Sequence, residues 1–74
     1  MSEFNIYEND FISLCDLLKK AGLCQTGGMA KSFISEGMVK VDGEIELRKR
    51  CKIREGQRVT FENQEILVVS KQVI

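Results

Sequence analysis

The sequence predicts an α+β fold in which two packed N-terminal helices are followed by a small, mostly antiparallel β-sheet. In the first half of the chain, apolar residues recur at the three-and-four spacing of a helix, whereas from Met38 onward apolar and polar residues alternate with the period of a strand. The chain has 74 residues, of which 43% are hydrophobic and none is proline. A chain of this size holds one small core, so we expect residues 1–74 to form a single domain.

The first helix is predicted over about residues 10–21, after a short N-terminal arm formed by residues 1–8. Asn9 can serve as its N-cap, and Gly22 is suited to end it because glycine readily adopts the left-handed conformation. One stripe of apolar side chains is expected to face the core: Phe11, Leu14, Leu18 and Ala21.

A second, shorter helix is predicted from Gly27 or Gly28 to Glu36. Thr26 can cap its start by accepting a backbone hydrogen bond, and Gly37 can end it. Since the link between the two helices is only residues 22–25, we expect them to pack as a tight pair.

The strand region begins with a predicted hairpin, because Asp42-Gly43 is a strong signal for a tight turn. A two-residue turn would place Val41 opposite Glu44, whereas a three-residue loop would place it opposite Ile45. The sequence leaves both registers open.

A second hairpin is predicted near the C-terminal end of the chain. A turn at residues 63–64 pairs Phe61 with Ile66 and Val59 with Val68, which gives both strands one apolar face.

The basic and acidic residues, eleven of each, cancel in net charge but not in position. Residues 1–18 include four acidic residues and no basic residue, whereas residues 48–58 include six basic residues and one acidic residue. A local basic surface sets the electrostatic field that a partner meets, even when the whole molecule is neutral. A polyanionic partner is therefore compatible with this composition.

The composition argues against an enzyme, a metal site and a membrane protein. The absence of histidine removes the commonest general base and zinc ligand, and Cys15, Cys24 and Cys51 have spacings that match no common metal pattern. No apolar run approaches the roughly 18 residues of a membrane span, and no signal-peptide pattern begins the chain. We expect a cytoplasmic protein with inert thiols, without cofactor, metal or catalytic activity.

The start of the second helix is a candidate phosphate site. Helix N-termini expose unpaired N–H groups and a positive dipole end, Gly27 and Gly28 would let a ligand approach the backbone after Thr26, and Lys31 adds a charge one turn later. The alternative is that the glycines only relax the tight link between the helices.

The basic run is the second candidate site, and its cations are Arg48, Lys49, Arg50, Lys52 and Arg54. If the run is extended, alternation puts Arg48, Arg50, Lys52 and Arg54 on one face and Lys49, Cys51 and Ile53 on the other. Such a face would suit phosphates, and Lys40 of the preceding strand could extend it. The alternative is an edge strand that carries charges to prevent aggregation.

The aromatic residues are assigned mainly to the core. Phe11, Phe33 and Phe61 fit core positions. Phe4 and Tyr7 either stack on nucleobases or, as we prefer, pack the arm onto the domain.

Four runs carry a family resemblance: Leu14 to Leu18, Gly27 to Lys31, Ile34 to Gly43 and Arg54 to Val59. The third is the most distinctive, with an isoleucine, a glycine three residues later, two alternating valines and an Asp-Gly pair. Together they resemble the S4 RNA-binding domain, the αL-motif module named for a small-subunit ribosomal protein. Residues 14–19 and 48–53 are similar to the small stand-alone YbcJ-like members of that family.

The resemblance implies that the two helices form the αL motif and that the chain is a non-catalytic RNA-binding protein. We expect a structured RNA, ribosomal or transfer RNA, bound through its backbone phosphates by a monomer, with ribosomal particles as a further partner. Family members often carry arginine at the position of Leu14 and after a serine at the second helix, where this chain has Thr26-Gly27-Gly28. The alternative function is a ribosome-associated protein-interaction adaptor.

Overall fold

The computed structural model describes residues 2–72 and combines two helices with two β-sheets. The elements of the described residues follow in this order: β1 (Ser2–Asn5), β2 (Ile12–Ser13), α1 (Leu14–Lys20), α2 (Gly27–Ser35), β3 (Val39–Val41), β4 (Glu44–Ile45), β5 (Lys52–Ile53), β6 (Arg58–Phe61) and β7 (Gln64–Val69). The α+β class is confirmed. The predicted order is wrong in one respect, because strands precede the helices. Of the predicted arm and domain, Met1, Val73 and Ile74 lie outside the described residues.

The main sheet is mixed, with the strand order β1-β7-β6-β3-β4. Strand β1 runs parallel to β7, and the other pairings are antiparallel. The arm therefore belongs to the sheet: Phe4 pairs with Val68, and the amide of Ile6 donates to the carbonyl of Val69 at 2.8 Å. Ile6 is buried, so burial of its side chain supports the docking of the arm.

Helix α1 is shorter than predicted because the chain before it forms a ladder. Ile12 pairs with Ile53 in a separate two-stranded sheet of β2 and β5. Ser13, not Asn9, occupies the N-cap position, and its side chain makes no capping hydrogen bond. Phe11 consequently lies outside the helix and is 40% exposed, which corrects its predicted core position.

Helix α2 confirms the predicted signals at both ends. The amide of Met29 donates to the Thr26 hydroxyl at 3.1 Å, with Thr26 in the extended N-cap conformation. Gly37 follows the helix at a φ of +78°, the left-handed conformation that ends a helix at low cost for glycine.

The first hairpin has the two-residue turn, in which Val41 pairs with Glu44. Asp42 and Gly43 both adopt positive φ, as the tight turns that match the sheet twist require.

The predicted register of the second hairpin is wrong. The turn residues are Glu62 and Asn63, Val59 pairs with Ile66, and Glu62 itself takes a φ of +57°. The error is two residues along β7, so the apolar side chains stay on one face: Ile66 and Val68 are both buried.

The core lies between the helical pair and the main sheet. Leu17 and Leu18 of α1 and Ile34 of α2 have no exposed surface. The rings of Phe33 and Phe61 pack in a tilted arrangement, with centroids 4.9 Å apart and an interplanar angle of 46°, and they join α2 to the sheet. Within residues 2–72, neither helix has the length and apolar content needed to cross a membrane.

Candidate nucleic-acid interface

The start of α2 presents an open helix end. A Cβ added at Gly27 would meet nothing within 4 Å, and one at Gly28 would meet only the Thr26 hydroxyl at 3.8 Å. The first turn contains no acidic residue. Neither glycine is therefore required by crowding within the protein, and the helix end is accessible to an anion.

The basic run is fastened to the start of α1 by backbone hydrogen bonds. The amide of Leu14 donates to the carbonyl of Cys51 at 2.9 Å, and the amide of Cys15 donates to the carbonyl of Lys49 at 3.1 Å. These two bonds satisfy two of the amides at the start of α1 that have no partner within the helix. The basic side chains are not needed for this attachment, and those of Lys49 and Arg50 are exposed.

The run is not one extended strand, which corrects the predicted alternation. A turn closes where the amide of Cys51 donates to the carbonyl of Arg48 at 3.2 Å, and strand pairing begins only at Lys52. The predicted pattern holds from there on, with Ile53 buried between exposed Lys52 and Arg54. The turn also exposes Lys49, which alternation had assigned to the opposite face.

Arg48 is already paired with an acidic side chain. Its Nε lies 3.0 Å from Oε2 of Glu46, its Nη2 lies 3.1 Å from Oε1, and its backbone N–H donates to the same carboxylate. These hydrogen bonds lower the pKa of Glu46 to about 2. Arg48 is thus partly neutralised, whereas no ion pair among residues 2–72 engages Glu44 or Glu55.

A shallow groove brings four cations together from three parts of the fold. This basic groove, of about 420 Å³, is bordered by α1, the start of α2 and the basic run. Its charged side chains and its glycine are Lys19, Lys31, Arg50, Lys52, Asp16 and Gly27. Among the predicted residues, the groove thus unites Gly27, Lys31, Arg50 and Lys52, with Thr26 and Gly28 beside Gly27 in sequence.

Two groove residues were not predicted as binding residues. Lys19 lies in the last turn of α1, and nothing in the sequence shows that it faces the basic run. Phe11 lies under two cations, with Lys52 Nζ at 4.9 Å and Arg54 Cζ at 5.8 Å from the ring centroid. A phenylalanine just before a predicted helix gives no local signal of exposure.

The remaining predicted residues lie at or beyond the edge of the basic groove. Arg54 contacts Phe11 but does not line the groove, while Arg48 lines a neighbouring surface with Arg50 and Lys52. Lys40 is exposed in the middle of β3, where it pairs with Thr60 and Ile45, and it lines none of these surfaces. The structure therefore does not join Lys40 to the groove.

Cys24 and Cys51 lie in surroundings that disfavour a reactive thiolate. Burial, together with the charge of Glu62, raises the pKa of Cys24; burial, together with Glu46, raises that of Cys51. No three cysteine, aspartate or glutamate side chains among residues 2–72 are grouped to hold a metal ion.

Comparisons with family models, with related sequences and with solved structures all indicate the same family. The family model described as the S4 domain matches residues 4–69. The Escherichia coli protein YbcJ is 47% identical over 70 residues, which are 95% of this chain and 100% of YbcJ. The Bacillus subtilis "Probable ribosome maturation protein RlbA" is 40% identical over 55 residues, 74% of this chain and 78% of RlbA.

The solution structure of YbcJ, described as revealing an αL motif involved in RNA binding, superposes with a TM-score of 0.75. The match covers 95% of this chain and 89% of that one. Since the family model spans most of the chain and one relative matches it nearly end to end, the chain belongs to the S4 domain family.

Proposed function

We propose that this chain binds structured RNA, ribosomal or transfer RNA, through its backbone phosphates and without catalysing a reaction. It acts as a single monomeric domain in the cytoplasm, with ribosomal particles among its partners. The observation that carries the proposal is the basic groove, where Lys19, Lys31, Arg50 and Lys52 converge beside the open end of α2.

Phosphate is the group that this groove suits best. The N–H groups at the start of α2 and the helix dipole attract an anion, and the missing side chains of Gly27 and Gly28 let a phosphate come close to the backbone. The cations belong to three different parts of the fold, α1, α2 and the basic run, so they suit phosphates spread along a folded RNA more than a single compact anion. Among residues 2–72, Asp16 is the one acidic side chain that lines the groove.

The relatives support an RNA partner. YbcJ has an αL motif described as involved in RNA binding, and RlbA is named for ribosome maturation. Ribosomal RNA is therefore the first RNA to test. The adaptor alternative gains no support from these relatives.

We assign three levels of importance to the proposed residues. The centre comprises Thr26, Gly27, Gly28, Lys31, Arg50 and Lys52. The flank comprises Lys49, Arg54 and the paired Arg48. Lys40 lies apart, and we expect little effect of its removal.

A salt titration with a matched pair of double variants tests the proposal. Fluorescence anisotropy would follow binding of a labelled ribosomal RNA hairpin to wild type, to Arg50→Gln/Lys52→Gln and to Arg58→Gln/Lys71→Gln. Both variants lose two positive charges, but Arg58 and Lys71 lie outside the groove, facing Glu65 and Glu3.

Contact with four to six phosphates predicts a slope of log affinity against log salt of about −3 to −5 for wild type. The groove variant should have a slope flatter by roughly 1.5, since each lost phosphate contact contributes about 0.7–0.9. The control variant should keep the wild-type slope, and circular dichroism should show that all three proteins are folded. A flat salt response in wild type, or equal losses in the two variants, would refute the proposed interface.

A further inference from the structure

Phe11 is held at the surface by the fold. It is 40% exposed, and the next residue, Ile12, is fixed by its pairing with Ile53 in the β2–β5 ladder. Strand pairing therefore presents a flat aromatic ring beside the basic groove at a fixed place. An exposed aromatic ring flanked by cations is the arrangement with which proteins stack unpaired nucleobases.

The ring borders two grooves. One is the basic groove, and the other is a groove of about 440 Å³ between the arm and α1, which we call the arm groove. The arm groove is bordered by Phe4, Asn9, Phe11, Asp16 and Lys20, among others. Its volume is within the range of about 300–1,000 Å³ that is usual for sites holding small ligands.

The arm groove combines apolar surfaces with polar groups. Phe4 and Phe11 supply aromatic surface, while Asn9, Asp16 and Lys20 supply acceptors and donors. No ion pair among residues 2–72 engages Asp16 or Lys20. A nucleobase has apolar faces and a polar edge, so it matches this lining better than a purely apolar side chain does.

The two cations near Phe11 connect the grooves chemically. Lys52 and Arg54 lie over the ring on exposed side chains, where such contacts are weak. A phosphate can therefore draw these cations away from the ring. Because one sugar joins the phosphate and the base of a nucleotide, a phosphate bound here brings its base within reach of the uncovered ring.

We propose that the arm groove takes one unpaired nucleobase, stacked on Phe11, from an RNA whose phosphates occupy the basic groove. This inference rests on the proposed RNA binding and adds to it the class of RNA. The preferred partner is a helix interrupted by an unpaired nucleotide, in place of a continuous duplex.

Two hairpins with the same number of phosphates test the inference, one fully paired and one with a single unpaired adenosine. Wild type should bind the second about 5- to 100-fold more tightly, which corresponds to the stacking of one base on an aromatic side chain. Phe11→Leu should abolish this preference: it should weaken binding of the hairpin with the unpaired adenosine more than binding of the paired hairpin, so that the two affinities become equal. Tyr7→Leu is the matched control, because Tyr7 is equally exposed, at 41%, and lines neither groove.

A tryptophan at position 11 gives a direct readout of stacking. The protein has no other tryptophan, so the emission of Phe11→Trp reports on this position alone. It should be quenched by the hairpin with the unpaired adenosine and much less by the paired one, and the preference between hairpins should be retained.

The outcomes distinguish this inference from the proposed function. If Phe11→Leu weakens binding of both hairpins equally, the ring only positions Lys52 and Arg54. If binding of both hairpins is unchanged, the ring has no role. Either result overturns this inference but leaves the proposed RNA binding in place. Failure of wild type to bind either hairpin with a salt-dependent affinity would overturn the proposed function itself.

Discussion

Glu46→Gln is expected to strengthen RNA binding, because it releases a cation that the carboxylate now holds. Glu46 contacts Arg48 through both carboxylate oxygens, at 3.0 and 3.1 Å, and through the Arg48 backbone N–H. The Arg48 side chain is nevertheless 77% exposed, so it can reach a ligand once the carboxylate is gone. Arg48 borders the same surface as Arg50 and Lys52, and in the variant it becomes one more cation for phosphates.

The size of the effect follows from counterion release. One additional phosphate contact makes the slope of log affinity against log salt steeper by about 0.7–0.9. When the salt concentration falls fourfold, from about 200 mM to about 50 mM, the affinity of the variant should therefore rise about threefold more than that of wild type. The same anisotropy titration as above measures both quantities.

Glu44→Gln is the matched control, since it removes the same charge two residues earlier from an exposed position on β4. It should raise affinity slightly through the overall field and leave the salt slope unchanged. Arg48→Gln in the wild-type background should change the slope much less than Arg50→Gln does. The reasoning fails if the two glutamine variants at positions 44 and 46 show the same slope, or if Arg48 and Arg50 prove equivalent.

Two further predictions concern the fold. In a carbon-detected NMR titration, the Glu46 carboxyl should have a pKa of about 2, below its ordinary value of 4.5. A lowered pKa stabilises the folded state above pH 4.5, and this stabilisation is lost as the pH falls toward 2. Glu46→Gln should therefore make the free energy of unfolding depend less on pH between 4.5 and 2. Ile53→Ala should lower the free energy of unfolding by about 2–5 kcal/mol in chemical denaturation, because it empties a fully buried position in the β2–β5 ladder. Ile45→Ala, at a 59% exposed position, should change the free energy of unfolding little.

The sequence predicted those elements whose signals are local. Thr26 and Gly37 delimit α2 because a cap hydroxyl and a left-handed glycine act on their immediate neighbours. The start of α1 could not be found in this way, since it depends on Ile12 pairing with Ile53 from the other half of the chain. The same limit applies to the arm, whose parallel partner is β7 at the far end of the described residues.

The candidate site was predictable in composition but not in geometry. The clustered basic residues and the glycine-rich start of α2 indicated which segments to examine. Four of the predicted site residues line one groove. The sequence pattern does not distinguish one basic residue from another, whereas in the structure Glu46 partly neutralises Arg48. Pattern also assigned Phe11 to a helix face, because a residue one turn before Leu14 fits the helical spacing as well as it fits a strand.

The way in which the basic run is attached explains how a neutral protein can keep a cationic surface. The run is held by carbonyls that accept from the amides of Leu14 and Cys15 and by the buried side chain of Ile53. None of these groups is a cation. The charges of Arg50 and Lys52 are therefore available for a ligand at little cost in folding free energy, and substitutions there should alter binding without altering stability. A surface supported in this way can change its cations while the fold stays the same.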